Sequence, residues 1–216
     1  MKKSITNKIT HIILAFSACV IISTAIGQGD DMFSWFRKKK EVFLSPEVNG
    51  IVTENGQPVA NVEIIRSLIY IDEKVHRDTA ITDENGCFHF PKKTILSSIP
   101  NKLIAEHRVS QEIFIEKGDE LTPLWVATQS GINEIPEYSK KLSFLNCELS
   151  NRWVQFKFPD KSSSNYNYLA SSICRWEDDY VPTWIIENNE PKYRIHEGDF
   201  NKLTDRFTGK EIPNEP

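Results

Sequence analysis

The tripeptide Glu-Asn-Gly occurs twice, at Glu54–Gly56 and at Glu84–Gly86, and both copies lie among short runs of alternating apolar and polar residues. Asn-Gly adopts positive φ at little cost, so each copy reads as a tight turn. Before the first copy, Val48, Gly50 and Val52 fall on one face of a strand. After it, Pro58 fixes φ where a missing N–H does little harm. Val62, Ile64 and Ser67–Tyr70 then give a second strand, Asp72–Lys74 a loop, and Thr79–Ile81 a third strand. After the second copy, Phe88 and Phe90 point one way and His89 the other. The spacing predicts two hairpin turns in a run of four short strands, and with them an all-β fold.

The residues that carry this pattern also carry a resemblance. The strings "GIVTENGQPVANVEI" and "TAITDENGCFHFP" resemble the transthyretin-like β-sandwich found as the carboxypeptidase regulatory-like module. Its pattern, G-x-V-x-x-x-G-x-P-x-x-x-V-x-V and then T-D-x-x-G-x-F-x-F, is filled by Gly50, Val52, Gly56, Pro58, Val62, Thr82, Asp83, Gly86, Phe88 and Phe90. Ile64 stands where the pattern has Val, and Asn61 where Gly is frequent. The fuller string "LSPEVNGIVTENGQPVANVEI" is similar to a group of uncharacterised bacterial proteins that carry this module alone.

The resemblance implies a transthyretin-like (prealbumin-like) antiparallel β-sandwich of about seven strands. It implies no activity, because a fold does not fix a function. Hydroxyisourate hydrolases and intradiol dioxygenases share the fold, but their histidine, arginine and tyrosine motifs have no counterpart here.

In the second half, Glu112–Ile115 and Leu124–Ala127 read as strands, and residues 132–141 as a helical turn or a loop. Leu142–Leu149 and Trp153–Phe158 are predicted to form a hairpin around Ser150-Asn151, with Val154, Phe156 and Phe158 on one face. Lys161–Asn165 is a loop and Tyr168–Trp176 the last strand. The sandwich is therefore expected over residues 46–178. Residues 179–216 form a polar tail, expected to be partly ordered at best.

The first 27 residues have the layout of a bacterial secretory signal. Lys2, Lys3 and Lys8 precede an apolar run from Ile12 to Ile26, and Ala25-Ile26-Gly27 offers small residues for cleavage. The alternatives are an uncleaved anchor, lipidation at Cys19, or a cytoplasmic product started at Met32. Loss of residues 1–27, which hold three lysines and no acid, moves the formal charge from −4 to −7. That acidity argues against nucleic acid as a partner. Residues 28–45 read as an aromatic and basic linker. Within it, Phe33, Trp35, Phe36, Arg37, Lys38, Lys39 and Lys40 are candidates for weak contact with an anionic membrane surface.

Of the cysteines left after cleavage, Cys147 and Cys174 lie on strands that can be neighbours, and export would favour a disulfide between them. Cys87 follows a turn and is expected to be free. His76, His89, His107 and His196 show no metal-ligand spacing. The run Glu177-Asp178-Asp179 reads as a solvated acidic edge. No nucleophile elbow, phosphate loop or dinucleotide fingerprint is present. The expectation is a cofactor-free, non-catalytic binding or structural module at the cell envelope, with an unidentified protein or envelope component as partner. The rivals are a membrane-surface protein and an enzyme with a scattered site.

Overall fold

The computed structural model describes residues 38–101, 106–118, 120–160, 167–177 and 179–212. The chain divides into two units. Residues 1–40 with 97–105 form one, and residues 41–96 with 106–216 the other. Of the first, residues 38–40 and 97–101 are described. They include a 3-10 turn at Ile99–Asn101, in which the Asn101 N–H donates to the Ser98 carbonyl.

The strands of the N-terminal half are β1 (Lys40–Ser45), β2 (Val48–Glu54), β3 (Gln57–Pro58), β4 (Glu63–Tyr70), β5 (Val75–Ile81), β6 (Cys87–Phe90) and β7 (Lys93–Ser97). There follow β8 (Arg108–Lys117), β9 (Glu120–Ser130), helix α1 (Pro136–Leu142), β10 (Leu145–Glu148), β11 (Val154–Pro159), β12 (Asn167–Ser172) and β13 (Cys174–Arg175). The last four are β14 (Val181–Glu187), β15 (Glu190–His196), β16 (Asp199–Asp205) and β17 (Glu211–Ile212). Pro136 starts α1, where its missing N–H costs nothing. Glu137 in the first turn and Lys140 and Lys141 in the last complement the helix dipole.

The strands form a large and a small sheet, with β1 and β7 as a separate pair. The ten-stranded sheet runs β17-β16-β15-β14-β11-β12-β9-β8-β4-β5. The small sheet runs β13-β10-β2-β3, with β6 also on β2. Its β10–β2 pairing is parallel; β2 pairs antiparallel with β3 and β6, and β10 with β13. One core joins the inner faces. Val48, Val52, Phe88, Phe90, Leu145 and Cys147 of the small sheet meet Ile64, Ile113, Val154, Phe156 and Phe158 of the large one. At the centre Trp125, fully buried, lies 5.9 Å from the ring of Phe158 and 5.4 Å from Tyr138. The chain is thus all-β and sandwich-like, as its alternating pattern implied.

Four local expectations are corrected. The first Glu-Asn-Gly does close a hairpin, Glu54 opposite Gln57. The second does not: β5 pairs with β4 in the large sheet and β6 with β2 in the small one, so Thr82–Gly86 is a crossover between sheets. The cause is local chemistry. The Asp83 carboxylate accepts the N–H groups of Asn85 (2.9 Å) and Cys87 (2.8 Å), and the Gly86 carbonyl accepts the N–H of Val52. That geometry turns the chain away from its own preceding strand.

The hairpin expected around Ser150-Asn151 is also a crossover, from β10 in the small sheet to β11 in the large one. Its first arm is shorter than expected, because α1 takes up residues as far as Leu142. The strand expected over Tyr168–Trp176 breaks at Ile173. There Ser172 Oγ accepts the Cys174 N–H at 2.9 Å and sends the chain from β12 into β13.

The sheet also continues past residue 178, through β14 to β17. The signal is sparse but regular: Ile185, Ile195 and Leu203 are buried while polar neighbours face out. Turns at Asn188-Asn189 and Glu197-Gly198 adopt positive φ. These four strands, and the division of the predicted arms, take the strand number well beyond seven.

Candidate functional site

The small sheet has its core face packed and its outer face open. On β2, β6 and β10 the residues alternate in burial, so Val48, Phe88, Phe90, Leu145 and Cys147 point inward while Asn49, Ile51, Cys87, His89 and Asn146 do not. Strand register places Arg175 opposite Asn146, Asn146 opposite Ile51, and Ile51 opposite Cys87. These four make one row across β13, β10, β2 and β6.

Phe144, just before β10, stands 55% exposed beside this row. It forms part of the wall of two depressions. One, about 520 Å³, is also lined by Asn49, Ile51, Ile81, Cys87 and His89. The other, about 380 Å³, is also lined by Lys140, Lys141, Asn146, Arg175, Trp176 and Glu177.

Two devices hold this face rigid. The first is the disulfide: Cys147 and Cys174 are register partners on β10 and β13, both fully buried and bonded to each other. The sequence separation of 27 residues gives about 3–4 kcal/mol of stabilisation in the chain-entropy model. The second is Glu148 at the end of β10. Its carboxylate accepts the N–H groups of Gly56 (3.0 Å) and Asn55 (2.8 Å), the hydroxyl of Thr53 (2.9 Å), and the N–H and hydroxyl of Ser150. The Gly56 N–H foremost, with Ser150 and Asn55, holds the carboxyl down at about 2. The first Asn-Gly turn is therefore tied to β10.

The chemistry of the outer face is that of contact. Cys87 is free of disulfides, and its thiol is pushed up by burial and then by the Asp83 carboxylate, opposite to what a nucleophile needs. His89 Nδ1 lies 2.9 Å from Asn49 Oδ1 and 3.7 Å from the Glu47 carboxylate, on a half-exposed ring. Arg175 is different. Its NH1 group donates to the carbonyls of Ser172, Ile173 and Cys174, and its NH2 group to that of Arg152. Its guanidinium lies over the rings of Phe156 (5.2 Å) and Phe200 (5.5 Å). Burial lowers its pKa, with Tyr180 acting the other way.

Of the other predicted site residues, Lys38, Lys39 and Lys40 are exposed, while Phe33, Trp35, Phe36 and Arg37 lie outside the described residues, as do the proposed signal and Cys19. His107 Nδ1 is 2.7 Å from the Tyr70 hydroxyl, and His196 Nε2 is 2.8 Å from Thr204 Oγ1. His76 sits on β5, opposite Leu68 of β4. Among the described residues no group of three or more His, Cys, Asp or Glu side chains is placed to hold a metal ion. Asp179 of the acidic run pairs with Lys140 at 2.5 Å. No helix of the described residues is long and apolar enough to cross a membrane.

Sequence reasoning missed Phe144, Asn146, Arg175 and Glu148. The signal lay in "FLNCE": an inward Cys147 requires an inward Leu145, and so puts Phe144, Asn146 and Glu148 on the opposite face.

The fold and this face define an all-β, sandwich-like protein with a disulfide-braced small sheet. Within it, residues 48–152 are similar to a family described as a domain of unknown function (DUF6795). No curated protein matches the chain, and no solved structure does.

Proposed function

We propose that the chain is an exported, non-catalytic binding module of the bacterial cell envelope, and that the outer face of the small sheet is its contact surface. The sandwich is of the transthyretin-like kind. The observation that carries this reading is Phe144, exposed between two depressions on a face whose opposite side is core. An aromatic ring in that position favours removal from water by a partner. The disulfide and the Glu148 clamp support the reading, because they fix the ring's surroundings without adding reactive groups to them. Oxidised cysteines also suit a compartment outside the cytosol.

A photo-crosslinking amino acid at position 144, in the native host, tests both parts. The control is position 121, where the leucine is equally exposed at 59% but lies on β9. The expected result is a discrete adduct with an envelope component from position 144 alone. Equal labelling at both positions, or a protein found wholly in the cytosolic fraction, overturns the reading.

A further inference from the structure

We propose that the depression beside Arg175 binds a carboxylate carried on an apolar body. The proposal rests on the outer face being a contact surface and names what one end of it recognises. Three observations converge there.

First, the guanidinium of Arg175 donates to four carbonyl oxygens and, among the described residues, to no carboxylate. Among the described residues its hydrogen-bond partners are all carbonyl dipoles. Three of the four carbonyls share the two hydrogens of NH1, one is served by NH2, and none by Nε. Hydrogens on Nε and NH2 are therefore left over for another acceptor.

Second, the guanidinium lies against the rings of Phe156 and Phe200, which leaves the edge carrying its unused hydrogens as the place for an incoming group. A planar, singly charged carboxylate matches such an edge; two parallel N–H···O bonds are the strong form of this pairing.

Third, Phe144 and Trp176 give the depression two aromatic walls, while Lys140, Lys141, Glu177 and the Asn146 side chain opposite Arg175 complete its lining. A volume of about 380 Å³ admits a ligand of one ring and a short chain. The carboxylate can come from a free small acid or from the C-terminus of a protein ending in an apolar residue. The chemistry read at Arg175 is the same for both.

The test is an NMR titration of the full chain with phenylacetate, following the Arg175 side-chain N–H signal and the Asn146 amide. Phenylacetamide, which keeps the ring and loses the charge, is the control. Saturable shifts at Arg175 and Asn146 with phenylacetate alone are expected. Replacing Arg175 removes four hydrogen bonds to the backbone, so the deciding variant is Asn146→Asp. It sets a carboxylate directly opposite Arg175, and is expected to weaken phenylacetate binding about tenfold or more while leaving the fold intact.

The proposal is overturned by the absence of saturable shifts at Arg175, by equal binding of phenylacetamide, or by undiminished affinity in N146D. Tighter binding of a peptide ending in free phenylalanine than of phenylacetate assigns the site to a protein C-terminus; equal or weaker binding assigns it to a small acid. If carboxylates fail to bind while position 144 still crosslinks to an envelope component, the ligand assignment falls and the contact face stands.

Discussion

Glu148 accepts the backbone N–H of Gly56 at 3.0 Å, across 92 residues of chain. With the N–H of Asn55 beside it, the carboxylate neutralises two donors that a tight turn leaves pointing outward. A local signal, Asn-Gly, is thereby completed by a residue that no local rule could select. Glu148→Gln keeps the size and loses the charge. The expected cost at neutral pH is about 1.5–3 kcal/mol, the range for hydrogen bonds to a charged group. The difference also depends on pH. The folded carboxyl is lowered to about 2 from an ordinary 4.5. Its stabilisation is therefore fully present above the ordinary value and is lost as pH falls towards 2. Urea unfolding of both proteins at pH 7, 4 and 2.5 checks this; a gap that does not narrow with acid excludes the clamp.

The glycines of the two Glu-Asn-Gly copies make different demands. Gly56 and Gly86 both have positive φ, 76° and 75°. A Cβ on Gly56 meets nothing within 4 Å, whereas on Gly86 it stands 2.3 Å from the Val52 carbonyl oxygen. Gly56→Ala is expected to cost about 1–2 kcal/mol, the conformational penalty alone. Gly86→Ala should cost distinctly more, because backbone has to move and the Val52–Gly86 hydrogen bond lies at that point. Thermal unfolding of the two variants side by side reads the difference.

Arg66 on β4 is buried, with its guanidinium on the Asp78 carboxylate at 2.7 Å, on the Pro91 carbonyl at 2.9 Å and over the ring of Phe90. Lys93 reaches the same carboxylate at 3.0 Å. Burial alone would raise the Asp78 carboxyl, but the hydrogen bonds from Arg66 and Lys93 outweigh it and hold it below its ordinary value. Asp78→Ala strands a buried cation and is expected to cost about 3–5 kcal/mol. The double variant Arg66→Met with Asp78→Ala should recover part of that loss. A double variant no more stable than Asp78→Ala would show that the guanidinium is not the source of the cost.

Cys147 and Cys174 are both fully buried, so a thiol reductant has no path to the folded bond. Dithiothreitol is expected to leave the native protein oxidised and to reduce it only under denaturant. The Cys147→Ala, Cys174→Ala variant should lose about 3–4 kcal/mol. Thiol labelling by mass spectrometry, with and without urea, distinguishes this from an accessible bond: among the described cysteines, Cys87 alone should react in the native state.

Elements with their own internal signal were readable in sequence. Val154, Phe156 and Phe158 alternate and are buried together; Phe88 and Phe90 do likewise. The disulfide between Cys147 and Cys174 was expected on the condition of export, because the two lie on strands that can be neighbours. The crossovers were not readable, because an Asn-Gly turn looks alike whether the next strand folds back or changes sheet. At Gly86 the choice is made by Asp83 and by the distant Val52. The outer face was illegible for the same reason: Arg175, Asn146, Ile51 and Cys87 come from four separate stretches and become neighbours only through register. The tail misled because its polar residues outnumber its apolar ones, yet a strand of a wide sheet needs only every second residue to be apolar.

The division of the large sheet bears on how the molecule can be taken apart. Residues 48–152 stop before β11, β12 and β13. A fragment cut there carries Cys147 without its sulfur partner, Trp125 without the ring of Phe158, and β9 with one side unpaired where β12 should lie. Such a fragment is a recipe for aggregation through a bare strand edge and an orphan thiol. The segment that can be matched by sequence and the segment that can fold are therefore different lengths, and expression work on this protein has to respect the longer one.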